Sequence, residues 1–258
     1  IVMTAVKQDG TSLQFASDGM KNNQEVVMAA VRHNGLALEY ASDEMKNNQE
    51  VVMAAVRHNG LALEYASDEL KNNQEIVMAA VEKDGKALFY ASNEMKNNQE
   101  VVMVAVGHNG LALRYASDER KNDPEIVMTA VEQNVFALPY ASEELQGNFD
   151  IVMVAVLRVG GTLEYALDEL KNNVEIVTAA VKQCGYAVGY ASKGLQSNFD
   201  IVMTALEEDV NSFECINQQE FSVAVAHRSL ECHYNNKMLH NDDHNNNNNN
   251  SNKKRKYS

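Results

Sequence analysis

Residues 26–50 read VVMAAVRHNGLALEYASDEMKNNQE, and residues 51–75 repeat this string with one change, Leu70 in place of Met45. Further copies begin at Ile1, Ile76, Val101, Ile126, Ile151, Ile176 and Ile201. A fixed period of 25 residues indicates a repeat protein, in which each unit buries its apolar face against its neighbours. We number the repeats one to nine along the chain and the positions within each from its first apolar residue, so that Val26 is position one of repeat two.

Each repeat contains the pattern of two short helices. Positions two, five and six are apolar and fall on one side of a helix with 3.6 residues per turn. Asn at position 23 of the preceding repeat is the expected N-cap, and Asn34-Gly35 is the expected left-handed stop. Leu38, Ala41 and Met45 are spaced three and four apart, which predicts one continuous second helix. The sequence therefore predicts an all-α fold, an α-solenoid (superhelix) of nine 25-residue helix–turn–helix repeats spanning residues 1–210.

Several residues depart from the repeat pattern. Arg120 replaces the apolar residue at position 20, and we expect its charge to reach solvent along the side-chain stem. Val135 replaces the glycine at position ten, and Leu167 replaces the serine at position 17. We therefore expect less regular packing from about Arg120 onward. The string NFDIVM occurs at residues 148–153 and 198–203, which suggests that repeats were duplicated in pairs.

The C-terminal residues lose the pattern. Residues 211–240 are predicted to form a degenerate cap of one or more helices, because the last apolar face of a solenoid needs a cover. Residues 241–258 form an Asn-rich tail that we expect to be disordered. The tail ends in the basic run Lys253, Lys254, Arg255 and Lys256, a candidate nuclear localisation signal. Because the chain begins in the middle of the motif, we interpret it as a fragment of a longer protein.

Composition limits the classes of partner. The formal net charge of −14 argues against nucleic-acid binding by the repeat body. The longest apolar run, residues 151–157, has seven residues and is too short to span a membrane. The three cysteines are an odd number that the repeat does not require, which favours a reducing compartment. We expect an intracellular, cytoplasmic monomer that binds no membrane, with nuclear entry provided by the basic tail.

The segment Gly35 to Ser42, GLALEYAS, and its copies at Gly60 and Gly110 carry a family resemblance. Followed by the KNNxEVVMAAV segment, they resemble the tandem helical repeats of the family named domain of unknown function 4116. The resemblance covers Ile1 to about Leu206. It implies a helical-repeat fold and carries over no activity and no catalytic residues.

The histidines and cysteines raise the question of a metal site. His33, His58 and His108 share position eight, but helices that pack about 8–10 Å apart place these imidazoles too far from one another for a single metal ion with bonds of about 2 Å. Near the C-terminus, the residue types suit zinc and the spacing does not; the residues concerned are Cys215, His227, Cys232, His233, His240 and His244. We leave that site open and expect no cofactor. The chain also has no phosphate-binding glycine loop and no single converging catalytic group, so we expect no enzymatic activity.

The remaining hypothesis is a non-enzymatic scaffold for an unknown protein or peptide partner. Glu39 with Asp43, and Glu64 with Asp68, are expected one turn apart on the second helix, forming an acidic stripe along the array. Exposed positions 7, 8, 14 and 18 supply the candidate partner surface: Arg32, His33, Glu39, Asp43, Arg57, His58, Glu64, Asp68, Glu82, Lys83, His108 and Arg114. The alternative is a spacer or regulatory array for a catalytic domain outside this sequence.

Overall fold

The computed structural model describes residues 1–216 together with Gln218, Phe221, Ser222 and Val225. Every regular element in these residues is helical, and neighbouring repeats pack helix against helix. The predicted all-α solenoid is therefore confirmed. The predicted cap helices, the Asn-rich tail and its basic run lie almost entirely outside the described residues.

Each repeat begins with a long α-helix that, from repeat two onward, starts two residues before position one. These helices are Val2–Gln8, Gln24–His33, Gln49–His58, Gln74–Lys83, Gln99–His108, Pro124–Gln133, Phe149–Arg158, Val174–Gln183 and Phe199–Glu208. The predicted N-caps are confirmed: the side-chain oxygen of Asn23 accepts a hydrogen bond from the Val26 amide at 3.1 Å. The equivalent residue caps every later long helix.

The second half of the repeat is not one continuous helix, so that prediction is wrong. It contains a 3-10 helix over positions 10–15: Gly10–Phe15, Gly35–Tyr40, Gly60–Tyr65, Gly85–Tyr90, Gly110–Tyr115, Val135–Tyr140, Gly160–Tyr165, Gly185–Tyr190 and Val210–Cys215. One turn of α-helix follows in repeats one to seven: Asp18–Lys21, Asp43–Lys46, Asp68–Lys71, Asn93–Lys96, Asp118–Lys121, Glu143–Gln146 and Asp168–Lys171. In repeat eight a 3-10 turn, Leu195–Ser197, takes its place.

Two extended residues separate these segments. Ala41 and Ser42 have ψ angles of 158° and 161°, which breaks the helical path. The Ser42 hydroxyl then accepts a hydrogen bond from the Met45 amide at 3.3 Å and caps the new turn. The sequence Ser-Asp-Glu at positions 17–19 is therefore a helix start inside what reads as one apolar pattern.

The glycine at position ten does not stop the helix in a left-handed conformation, as was predicted. Asn34 is extended, with φ −147°, and no described residue has a positive φ. Glycine is needed for close approach instead, because a Cβ on Gly35 would lie 2.5 Å from the Ala55 carbonyl oxygen of the next repeat. The same contact occurs at Gly10, Gly60, Gly85, Gly110, Gly160 and Gly185.

A continuous core runs through the array. The valine at position two and the alanine at position five are fully buried in repeats two to nine. Burial of each such valine contributes about 1.5–3 kcal/mol as an upper estimate. Position thirteen, from Leu13 to Leu163, is also fully buried and packs from the 3-10 helix side. The residues that recur most strictly in sequence are therefore those that hold neighbouring repeats together.

Arg120 does not extend freely to solvent, contrary to the sequence-based expectation. Only 14% of its side chain is exposed, and its guanidinium pairs with Glu119 and, at 3.2 Å, with Asp123. Asp123 occupies the cap position that is asparagine in most repeats, so the added positive charge has a local negative partner. Removing only one member of such a pair would leave a poorly solvated charge.

The packing is least regular between repeats six and seven, at a place we call the six–seven joint and define by Val135, Gly147 and Leu167. The long helices Pro124–Gln133 and Phe149–Arg158 pack less closely than the other neighbouring pairs of long helices in the described chain. Val135 stands where glycine allows close approach elsewhere, and its buried side chain occupies that space. The expected irregularity is therefore concentrated at this joint.

Candidate functional site

Positions seven and eight lie at the C-terminal end of each long helix. Arg32, Arg57, Glu82 and Lys83 are exposed there, as predicted for a candidate partner surface. Positively charged side chains at this end also suit the partial negative charge of the helix C-terminus. These residues are available for contact with another molecule.

Two of the three histidines at position eight have a structural role that the sequence did not reveal. Nδ1 of His33 accepts a hydrogen bond from the Gly10 amide at 3.2 Å, and Nδ1 of His58 accepts one from Gly35 at 3.1 Å. In the sixth repeat, Gln133 stands at position eight, and its Oε1 accepts the corresponding bond from the Gly110 amide of repeat five at 2.5 Å. The bond needs an acceptor at position eight, which histidine provides only while Nδ1 carries no proton. His108 is exposed at the same position.

A groove lies between the long helices of repeats three and four, and it brings together two of the predicted residues, Arg57 and Glu82. Its volume is about 490 Å³, and Met53 and Met78 form apolar parts of its wall. Along one edge, Gln74 donates a hydrogen bond to Glu100 at 2.8 Å. We call this region the three–four groove. Methionine adapts its shape readily and is common at surfaces that bind peptides.

Positions 14 and 18 do not lie one turn apart on a single helix, so the predicted geometry of the acidic stripe is wrong. Glu39 belongs to the 3-10 helix Gly35–Tyr40, whereas Asp43 begins the short helix Asp43–Lys46. Glu64 and Asp68 are separated in the same way, because the extended residues before position 18 redirect the chain. All four carboxylates are exposed.

The position-14 side chains lie beside a row of tyrosines at position 15. The Glu39 carboxylate raises the pKa of Tyr40, and burial together with the nearby Glu64 carboxylate raises the pKa of Tyr65. In repeat five, the guanidinium of Arg114 lies 5.1 Å from the ring centre of Tyr115 and 5.6 Å from that of Tyr140. Arg114 is thus an exposed residue that its aromatic neighbours hold in place.

An exposed aromatic side chain, Phe89, adjoins this row. It is 52% exposed, and its ring centre lies 5.0 Å from those of Tyr90 and Tyr115. The Lys96 ammonium lies 5.7 Å from the Phe89 ring centre, and burial lowers the pKa of Lys96. The sequence analysis did not select Phe89, although phenylalanine at a position that is glutamate in four other repeats was a visible departure.

A hydrogen-bond ladder joins successive short helices. The Ser42 hydroxyl donates to the side-chain oxygen of Asn22 in the preceding repeat, and the Asn22 amide donates to Glu44 at 2.8 Å. We call this the Ser–Asn–Glu ladder. The same two hydrogen bonds, from serine to asparagine and from asparagine to glutamate, recur in Ser67–Asn47–Glu69, Ser92–Asn72–Glu94, Ser117–Asn97–Glu119 and Ser142–Asn122–Glu144.

Repeat eight keeps the Ser192–Asn172 bond but has Gly194 in place of the glutamate, and the serine–asparagine bond itself is missing once among repeats two to eight. Leu167 replaces the serine, and Gly147 replaces the asparagine that would have bonded to it. Glycine has no side chain to donate, so the position-19 carboxylate here, Glu169, lacks its usual bond. The backbone bond between the two repeats is kept, from the Leu167 amide to the Gln146 carbonyl at 3.1 Å.

No group of three or more metal-binding side chains comes together among the described residues. Cys184 and Cys215 are free, half-buried thiols. Of the C-terminal zinc candidates, Cys215 is described, and Cys232, His227, His233, His240 and His244 lie outside the described residues. In the part of the chain that the structure describes, no helix is long and apolar enough to cross a membrane.

Comparison with known proteins identifies the family. The model described as a domain of unknown function (DUF4116) matches residues 1–46, 48–96, 98–146, 148–196 and 179–221. Each of the first four matches spans about two of the 25-residue repeats, so the family unit is a pair of repeats. No curated protein and no solved structure matches the chain. Because the family model matches nearly the whole repeat array, the chain belongs to the DUF4116 family of tandem helical repeats.

Proposed function

We propose that the chain is a non-enzymatic repeat scaffold that binds a protein or peptide partner in the three–four groove. The observation that supports this most directly is the contrast between constant buried positions and variable exposed positions within the repeat. Positions two, five, ten and thirteen keep neighbouring repeats packed, whereas exposed position seven varies from arginine to glutamate, glycine, leucine and lysine. Variation on a constant framework is what distinguishes the binding surfaces of solenoids from their cores.

The groove has the chemical features of a peptide-binding surface. Met53 and Met78 offer adaptable apolar contact, and Arg57 and Glu82 offer opposite charges at its edge. Such an edge favours a partner segment that carries an apolar side chain flanked by groups of both charges. The groove is open to solvent, so its occupancy requires no opening of the core.

The test starts with proximity labelling in the native cell, which identifies a partner, and continues with the purified partner. Arg57→Ala/Glu82→Ala is expected to weaken binding by at least about tenfold, as for residues at the centre of an interface. The matched control is Lys182→Ala/Glu207→Ala, which changes exposed position-seven residues of the same charge types in repeats eight and nine. The control should bind within about twofold of the native chain. Equal effects of the two double variants would contradict the assignment.

The site of action that we propose is intracellular, with nuclear entry through Lys253, Lys254, Arg255 and Lys256. This rests on the residue types of the run, because a short run of lysine and arginine is a candidate nuclear import signal. Fluorescence microscopy of the tagged chain tests it. Replacement of the four residues by glutamine should abolish nuclear signal, and unchanged nuclear signal would contradict the role of the tail.

A further inference from the structure

The departures from the repeat pattern at the six–seven joint coincide with an open cleft of about 620 Å³. Pro139, Tyr165 and Leu167 are among its lining residues, as is Gln146, whose amide donates to the Ala141 carbonyl at 3.0 Å. No other repeat has proline at position 14 or leucine at position 17, the positions that Pro139 and Leu167 occupy. This combination of lining residues is therefore specific to this joint.

The charges around the cleft are mainly negative. Glu164, Asp168 and Glu169 line it with three exposed carboxylates, and Lys171 is the single basic residue among its lining residues. Repeat three carries the same acids as Glu64, Asp68 and Glu69, together with Lys71. Net charge alone therefore does not distinguish the two repeats.

What distinguishes repeat seven is that the exposed Glu169 carboxylate has no asparagine donor in the preceding repeat. In repeat three, the Glu69 carboxylate accepts a hydrogen bond from Asn47 at 3.2 Å. In repeat seven the corresponding residue is Gly147, so the Ser–Asn–Glu ladder leaves Glu169 without that donor. The Leu167 side chain replaces the hydroxyl with an apolar wall beside the same carboxylate.

We infer that this cleft binds an arginine or lysine side chain from a basic segment of a partner protein. The apolar stem of such a side chain fits against Pro139 and Leu167, and its cationic head meets Tyr165 and the carboxylates of Glu164 and Glu169. A guanidinium donates in a planar fork to carboxylate oxygens, which supplies the donor that Asn provides in other repeats. The inference deepens the proposed scaffold function by naming a second contact site and its ligand chemistry.

The probe is the peptide acetyl-Gly-Arg-Gly-Arg-Gly-amide, titrated into the isotope-labelled full chain and followed by backbone amide chemical shifts in NMR. The expected result is saturable shifts at Tyr165, Asp168 and Glu169, with none from the peptide in which glutamine replaces arginine. Glu164→Gln/Glu169→Gln should weaken binding by at least about tenfold. The matched control Glu64→Gln/Glu69→Gln should change affinity by less than about twofold.

A second variant tests the role of the interrupted ladder. Gly147→Asn/Leu167→Ser restores the residues found in repeat three, so it should weaken peptide binding about as much as loss of the carboxylates. If the control variant Glu64→Gln/Glu69→Gln weakened binding equally, the peptide would be attracted to acidic surfaces in general and the inference would be wrong. The inference would also be wrong if the peptide shifted amide signals only outside repeat seven.

The source of the basic segment is tested separately. If replacing Lys253, Lys254, Arg255 and Lys256 by glutamine raises peptide affinity by more than about tenfold, the tail of the chain itself holds the cleft and the inference of an external partner is wrong. Unchanged affinity supports it. None of these variants touches Arg57 or Glu82, so failure here is distinguishable from failure of the three–four groove.

Discussion

The Leu167 side chain lies where a side chain on residue 147 would begin, since a Cβ on Gly147 would lie 2.8 Å from Leu167 Cδ1 and the leucine would have to turn away. In six other repeat pairs the same two positions hold serine and asparagine joined by a hydrogen bond. Two separate changes in sequence, twenty residues apart, are thus one structural change. They replace a polar contact between repeats with an apolar one.

This relationship predicts strong coupling between the two sites. Gly147→Asn alone should lower the free energy of unfolding by about 0.5–1 kcal/mol, because Leu167 must turn away and the new amide finds no serine to bond. Adding Leu167→Ser should recover much of that loss through the restored hydrogen bond. Urea unfolding of the four proteins in a double-mutant cycle should give a coupling of at least about 1 kcal/mol. Additive effects would show that the sites do not interact.

The close approach at position ten predicts opposite effects for two glycine substitutions. Gly35→Ala should destabilise the chain by about 2–3 kcal/mol, because its Cβ meets the rigid carbonyl of Ala55. Gly107→Ala should stabilise it by about 0.5–1 kcal/mol, since Gly107 lies in a long helix and its Cβ would meet nothing within 4 Å. Thermal and urea unfolding measure both. A loss at Gly107 similar to that at Gly35 would rule out the contact as the cause.

The hydrogen bond from Gly35 to His58 predicts which replacements position eight accepts. His58→Ala should cost about 1 kcal/mol, because the Gly35 amide loses its acceptor. His58→Gln should cost less, as Gln133 provides the acceptor for Gly110 in the native chain. His108→Ala is the control, since His108 accepts no hydrogen bond among the described residues. Equal unfolding free energies for the alanine and glutamine variants of His58 would contradict this role.

Glu119 predicts a pH dependence of stability. A hydrogen bond from Asn97, at 3.0 Å, and then the charge of Arg120 hold the pKa of Glu119 below its ordinary value. A carboxyl whose pKa is lower in the folded chain stabilises that state above the unfolded pKa, and the contribution disappears as the pH falls through the folded pKa. The stability difference between the native chain and Glu119→Gln should therefore shrink below about pH 4.3. If the stability difference between the two proteins stayed constant down to about pH 2, the assignment would be contradicted.

The sequence predicted the parts of this fold that depend on local chemistry. Asn23 and its equivalents are N-caps because a short side-chain oxygen next to an apolar run satisfies free amides, whatever the surroundings. The buried valines and alanines followed from their 3.6-residue spacing. The division of the second half was missed, although Ser42 before Asp43 and Glu44 was a readable helix start. Apolar spacing across Ala41 concealed it.

The contacts between repeats were not predictable from one repeat. The role of Gly35 depends on the Ala55 carbonyl, and that of His58 on the Gly35 amide, each in a neighbouring unit. The three–four groove brought Arg57 and Glu82 together, whereas Glu39 and Asp43 proved to lie on separate helices. Phe89 and the cleft beside Leu167 required knowledge of which variable positions become neighbours.

The most direct test of the scaffold account is NMR of the full chain labelled with ¹³C at the methionine methyl groups, during titration with the partner identified by proximity labelling. Met53 and Met78 line the three–four groove, and Met203, at the same position in repeat nine, is an internal reference. The account predicts that saturating partner shifts the methyl signals of Met53 and Met78 and leaves that of Met203 in place. Unchanged Met53 and Met78 signals at saturation would contradict it.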